Sequence, residues 1–402
     1  MAADRSRTID GLRGIAAMAV IVQHCLEFTP LNKPDATIST PIEYLFANGF
    51  NLGRFGVIVF FLISGFLIPS SIENQPRPLV SFVVGRFFRL YPLYWLSMAL
   101  ALVTVFALGW KIPGVGQVIA NMTMFQTLLG YENILDPYWT LLIEHFFYIF
   151  CIVIFLVGML NSPPWMRRIM FASGGLLILL AAGLMLAPQM KYAKYLSYIM
   201  YTGSFLFAMV VGHNVRLMQT RDAFHFPWDI LALFFVVFFF LGAARDVTAV
   251  YSILLSPVSL FLSSTAALVV FLFALHFRAF TSRPFEYAGK ISYGLYLFHG
   301  IALWIAYEWT GKPTDFAYSL LLLGLVFGMT AIIAALAFNF VEEPFIALGK
   351  TIRRSLTRPG KAGFEAVRST GSTVQDALRP FNNKAIPSDA DNLPWKQHGD
   401  LS

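Results

Sequence analysis

A chain of 402 residues that is 57% apolar and only 13% charged is not an ordinary soluble domain, where about a quarter of the residues carry charge. Its net charge of +7 gives no case for a nucleic-acid partner, because Lys and Arg are spread among short connections and the C-terminal segment. Cys25 and Cys151, both in apolar stretches, make neither a disulfide framework nor a thiolate metal site.

Ten apolar segments can be drawn, at roughly 14–31, 55–72, 90–108, 138–160, 169–187, 196–213, 228–243, 251–275, 291–308 and 317–340. They predict an all-α fold, a polytopic membrane bundle of about ten transmembrane helices within residues 1–349. The first apolar run has no small-residue cleavage pattern and is followed by another span, so it reads as a retained helix rather than a signal peptide. The connections 32–54 and 109–137 are long and fall on one side, where they are expected to cover a mouth of the bundle. Residues 350–402 are polar and open on the basic run KTIRRSLTRPGK, which predicts a disordered tail able to lie against anionic headgroups. With the N-terminus inside, thirteen Lys and Arg fall on the inner side, seven on the outer side and nine in the tail. That excess places both termini in the cytoplasm.

Polar groups inside apolar segments are costly and usually have a function. The first span, IDGLRGIAAMAVIVQHCLEF, carries Asp10 and Arg13 at its start and His24 near its end. Eleven residues of α-helix turn Arg13 and His24 to within about 20° of each other and about 16 Å apart along the axis. Arg86 and Arg89 share a helix face shortly before Pro92. Such a pair can anchor lipid headgroups or grip an anionic ligand through its guanidinium forks. Glu144 and His145 lie inside the fourth segment, and Ser292, Tyr296 and His299 follow one stripe of the ninth. Glu342 and Glu343 close the last, placed to partner basic residues nearby, while Ser64-Gly65 suits close helix packing. The histidines are too scattered to suggest a metal, and neither a serine-hydrolase elbow nor a phosphate loop is present. From these residues alone, an enzyme and a proton- or ion-coupled transporter are equally good readings.

Taken in order, the motifs resemble the acyltransferase 3 family of integral membrane O-acyltransferases. Residues 10–14, DGLRG, with Arg13 ahead of His24, resemble its first-span signature, and FGVIVFFLISGFLI, residues 55–68, its second span. Arg86-Phe87-Phe88-Arg89 matches its paired-arginine motif. Tyr138-Trp139-Thr140 with Glu144, Phe147 and Tyr148, then Ile291-Ser292-Tyr293 with Tyr296 and His299, and finally Glu343-Pro344, complete the series.

The resemblance implies ten helices in a bacterial cell (inner) membrane and an acyl-CoA donor, often acetyl-CoA, with no metal. The acceptor would be a hydroxyl of a carbohydrate, a lipid-linked glycan or a small glycosylated product. It also implies a catalytic His24, with Arg13, Arg86 and Arg89 serving donor binding or the integrity of the site. Many members carry a further hydrolase-like domain, for which residues 350–402 are too short and polar. The physical reading adds that the arginines could hold donor phosphates while the pantetheine arm reaches inward to His24 as general base. Glu144 is expected to partner an arginine or orient the site from a distance, since an intimate carboxylate would disfavour a neutral imidazole. Asp10, Tyr296 and His299 are the candidates for the substrate-binding wall.

Overall fold

The computed structural model describes residues 2–26, 49–72, 77–219, 227–248, 256–311 and 316–357. Among these the secondary structure is helical, with no strand. In chain order the helices are α1 (Ala2–Leu26), α2 (Leu52–Leu67), α3 (Pro78–Ala107), α4 (Val115–Met122), α5 (Trp139–Leu156), α6 (Pro163–Leu186) and α7 (Ala193–Gln219). They continue with α8 (Trp228–Thr248), α9 (Pro257–Phe277), α10 (Arg283–Lys290), α11 (Ser292–Thr310), α12 (Phe316–Ala337) and α13 (Glu343–Thr357).

Every expected apolar segment overlaps a helix, and the fold is a polytopic helical bundle. Eight helical stretches among the described residues are long and apolar enough to cross a membrane, short of the ten expected. The apolar part of α8, Trp228–Ala244, is shorter. The remaining apolar helix, α11, carries the polar cluster Tyr293, Tyr296 and His299. Large side chains such as Val103, Phe106, Leu179 and Leu321 are exposed around the bundle, which suits hydrocarbon rather than water.

Helix boundaries depart from the apolar windows where polar residues continue a helix. α1 begins at Ala2, so Asp10 and Arg13 lie within it. α3 begins at Pro78, a residue whose missing N–H costs nothing in a first turn, and runs through Arg86, Arg89 and Pro92. Most of the expected connection 32–54 lies outside the described residues. The connection 109–137 is built on α4 and a 3₁₀ turn, Asp136–Tyr138. It is tied to α3 by Tyr94 Oη donating to Asn121 O at 2.7 Å and Trp95 Nε1 donating to Met122 O at 3.0 Å. The expected boundary at 349/350 falls within α13, and the compact unit runs to Leu356. The remainder of the expected tail, from 358, lies outside the described residues.

α1 is the hub, packing against α2, α9, α10, α11 and α12. Close approaches need small residues. A Cβ on Gly65 of α2 would stand 1.9 Å from Met209 O on α7, and one on Gly212 of α7 would stand 2.1 Å from Leu62 O. The Ser64-Gly65 step is thus where two helix backbones meet.

Candidate active site

The bundle contains two chambers side by side. The first has charged walls: Arg13 from α1, Arg89 from α3 and Glu144 from α5, with Ser292 and Tyr293 from α11. Arg13 is within electrostatic reach of Asp10, Arg86, Arg89 and Glu144. Glu342, 4% exposed in the π-helical turn that follows α12, is within reach of Arg89 and Arg13. Glu144 accepts a hydrogen bond from Tyr148 Oη one turn along α5, which fixes the carboxylate against the wall. Glu144 shares this wall with Arg13 and Arg89, whereas His24 lines the neighbouring chamber. The guanidinium donors that face this space are chemically suited to phosphate oxygens.

The two arginines of the RFFR motif have different surroundings. Arg89 lines the chamber, whereas Arg86 does not. Its Nη2 donates to Ser71 Oγ at 2.7 Å, and its guanidinium lies over the rings of Phe82 and Tyr148. Arg86 therefore fastens α3 to the 3₁₀ turn Pro69–Ser71 at the end of α2. Asp10 also lies outside the chamber wall, although its field reaches Arg13 and Arg89.

The second chamber holds His24 together with Gln23, Asn51, Arg54, Asp136, Trp139 and Tyr201. Two hydrogen bonds set its wall. Asn51 caps α2 by accepting from Arg54 N at 2.6 Å, and Gln23 Oε1 accepts from Leu52 N at 2.9 Å. Each of these amides thereby commits its oxygen and keeps an NH₂ group as donor. Arg54 is 5% exposed, with its guanidinium 4.3 Å from the Phe205 ring centre and 4.9 Å from that of Tyr201.

His24 stacks on His299 with ring centres 5.1 Å apart. His299, only 2% exposed, has Nδ1 at 2.7 Å from Tyr296 O. A carbonyl can only accept, so Nδ1 carries the hydrogen, and this contact fixes the ring on which His24 lies. His299 lines neither chamber.

Val57 and Tyr296 line both chambers, so they form the partition between them. The Tyr296 hydroxyl is 3.0 Å from Thr140 Oγ1 and donates to Pro137 O at 3.3 Å. The Phe60 ring meets the Tyr296 ring edge-on at 5.7 Å. His145 is turned elsewhere: its Nδ1 contacts Leu141 O at 2.8 Å, and its ring packs against Phe125 and Tyr148. Among the described residues no group of three or more His, Cys, Asp or Glu is placed to hold a metal ion.

Sequence reasoning missed Gln23, Asn51, Arg54, Val57 and Tyr201. Arg54 offered a signal, a cation in the first turn of an apolar helix, but it reads as a loop charge when the helix start is placed at Phe55. Val57 offers none, because one aliphatic residue in an apolar run looks like any other.

Comparison with known proteins bears on this geometry. The model of the acyltransferase domain family, acyltransferase 3, matches residues 7–339. YrhL of Bacillus subtilis, provisionally named a peptidoglycan O-acetyltransferase, is 25% identical over 376 residues, covering 85% of this chain and 55% of its own length. The chain thus spans just over half of that relative. A protein of Acidianus two-tailed virus, provisionally named an acetyltransferase, is 24% identical over 72% of this chain and 80% of its own. The acyltransferase MdmB of Streptomyces mycarofaciens is 28% identical over 41% of this chain and 40% of its own. No solved structure matches significantly.

Proposed function

The chain belongs to the acyltransferase 3 family; from that premise we propose that it is a multi-pass membrane enzyme that moves an acetyl group from acetyl-CoA to a hydroxyl of a carbohydrate or lipid-linked glycan. The observation that carries this reading is the course of α1. It supplies Arg13 to the charged chamber and His24 to its neighbour, with one partition between.

In this reading Arg13 and Arg89 hold donor phosphates, and Arg86 keeps α3 in place. The pantetheine arm extends along α1 toward His24, a reach of about 16 Å. The acceptor enters the second chamber, where the Trp139 ring and the amides of Gln23 and Asn51 suit a sugar face and its oxygens. The carbohydrate acceptor draws support from the name given to YrhL. His24 takes the hydroxyl proton as the oxygen bonds to the thioester carbonyl carbon. The C–S bond breaks, and the proton passes on to the departing thiolate, leaving an ester and free coenzyme A. Residues 1–349 form the acyltransferase domain and the polar segment after it a tail, with both termini in the cytoplasm of a bacterial inner membrane.

The test is incubation of purified protein with labelled acetyl-CoA and a cell-envelope glycan extract, with mass analysis of the product. An acetylated glycan is expected from the native protein and none from His24→Ala. Passage of an unmodified solute across liposomes, with no ester formed, would refute the enzyme reading of this site.

A further inference from the structure

We propose that Arg353, on α13, is an additional phosphate-binding residue at the approach to the charged chamber; the proposal rests on the donor reading above. α13 follows the π-helical turn Phe338–Glu342, which packs against α3. Two of its residues, four apart and so on one face, touch α3. A Cβ on Gly349 would lie 2.7 Å from Phe88 Cβ, and a Cβ on Gly85 would lie 3.3 Å from Arg353 Nη1 and 3.6 Å from its Cζ. The guanidinium therefore rests over the bare backbone of Gly85, where a larger residue would crowd it.

Gly85 is four residues before Arg89, one turn and about 6 Å down the same face of α3. Arg89 lines the charged chamber, as does Arg13 from α1. Arg353, over Gly85, thus stands about one turn of α3 from a residue of that wall. The Nε of Arg353 is buried and has no hydrogen-bond partner among the described residues. A buried donor without an acceptor is unfavourable, and a phosphate oxygen at this point would relieve it. Lys350 and Arg354, on the same helix, are exposed. The ligand chemistry is a phosphate mono- or diester, available either from the nucleotide end of coenzyme A or from a phospholipid headgroup. The position one turn from Arg89 favours the nucleotide.

The test is calorimetric binding of coenzyme A and of pantetheine to the full chain in maltoside micelles, which contain no phosphate, and in anionic-lipid nanodiscs. Arg353→Gln is expected to weaken coenzyme A binding about tenfold in both media, the size of one charge-assisted hydrogen bond, with pantetheine binding unchanged. Arg353→Lys, which keeps the charge but loses the fork, is expected to lose less and serves as the readout if the glutamine variant does not fold. Native-like affinity in maltoside for both variants would overturn the assignment, and a loss confined to nanodiscs would transfer the site to lipid. A native chain that binds coenzyme A alongside equally strong variants removes Arg353 alone. A native chain that binds none removes the donor reading with it.

Discussion

The two chambers share two wall residues, yet their chemistry differs. One is framed by Arg13, Arg89 and Glu144, the other by an imidazole, two side-chain amides, an aromatic wall and the side chains of Arg54 and Asp136. Guanidinium groups grip an anion but make poor bases, because they do not give up their proton in a protein. An imidazole does the reverse: it exchanges a proton readily and adds little to phosphate binding. α1 contributes a guanidinium to one chamber and the imidazole to the other, and holds the two in fixed register. The comparison makes a strong claim, that binding and chemistry are separable by mutation.

The largest expected effect is at His24. His24→Ala should reduce transfer by about 10²–10⁴-fold, the usual contribution of a general base. Coenzyme A affinity should stay at the native level, because the phosphate-binding wall is in the other chamber. Turnover in a stopped assay and calorimetric binding on the same sample separate the two. Lost donor affinity in this variant would mean that the chambers do not divide the work.

Next in size is the contrast between Arg89 and Arg86, adjacent in motif but not in surroundings. Arg89→Ala should raise the donor KM by about ten- to a hundredfold, with the acceptor KM almost unchanged. Arg86→Ala removes the bond to Ser71 and the contacts with Phe82 and Tyr148. Its main expected result is a lower Tm in detergent, with a smaller change in donor KM. Equal donor defects at both positions, with equal stability, would contradict the placement of Arg86 outside the wall.

Much of this was legible in the sequence, for identifiable reasons. Segments that must satisfy their backbone inside hydrocarbon are helical, so the all-α bundle follows from apolar runs alone. Arg13, His24, Glu144 and Tyr296 were found because polar groups stand out against such runs, and spacing put the first two on one face. What spacing could not give is which polar residues share a cavity. Arg86 and Arg89 are indistinguishable as a motif; only Ser71, arriving from the end of α2, separates them. His299 lies on the same helical stripe as Ser292 and Tyr296, yet it lines no chamber, because α1 covers it with the ring of His24. The partition itself depends on Val57 and Tyr296 meeting across two helices distant in sequence, a contact no local pattern encodes.

The smallest effect, and the most informative about that partition, is expected at Tyr296. The Tyr296 ring is held by its hydroxyl contacts with Thr140 and Pro137 and by the edge of Phe60. Tyr296→Phe removes the hydroxyl while keeping the ring. The loss is about 1 kcal/mol of hydrogen bonding, equivalent to about a fivefold rise in how often the ring leaves its place. A thioester arm should then pass more freely toward His24, and water from the second chamber should reach the thioester more freely as well. The expected signature is therefore a rise of about fivefold at most in acetyl-CoA hydrolysis without acceptor, with donor affinity unchanged. Tyr296→Ala, which removes the wall altogether, should raise hydrolysis further and lower the fraction of acetyl groups that end on the glycan. Release of free coenzyme A, followed with a thiol reagent and compared with ester formation by mass analysis, gives that fraction directly. If both substitutions leave the ratio of hydrolysis to transfer untouched, Tyr296 is not what separates the chambers during turnover, and the division rests on the charges of their walls alone.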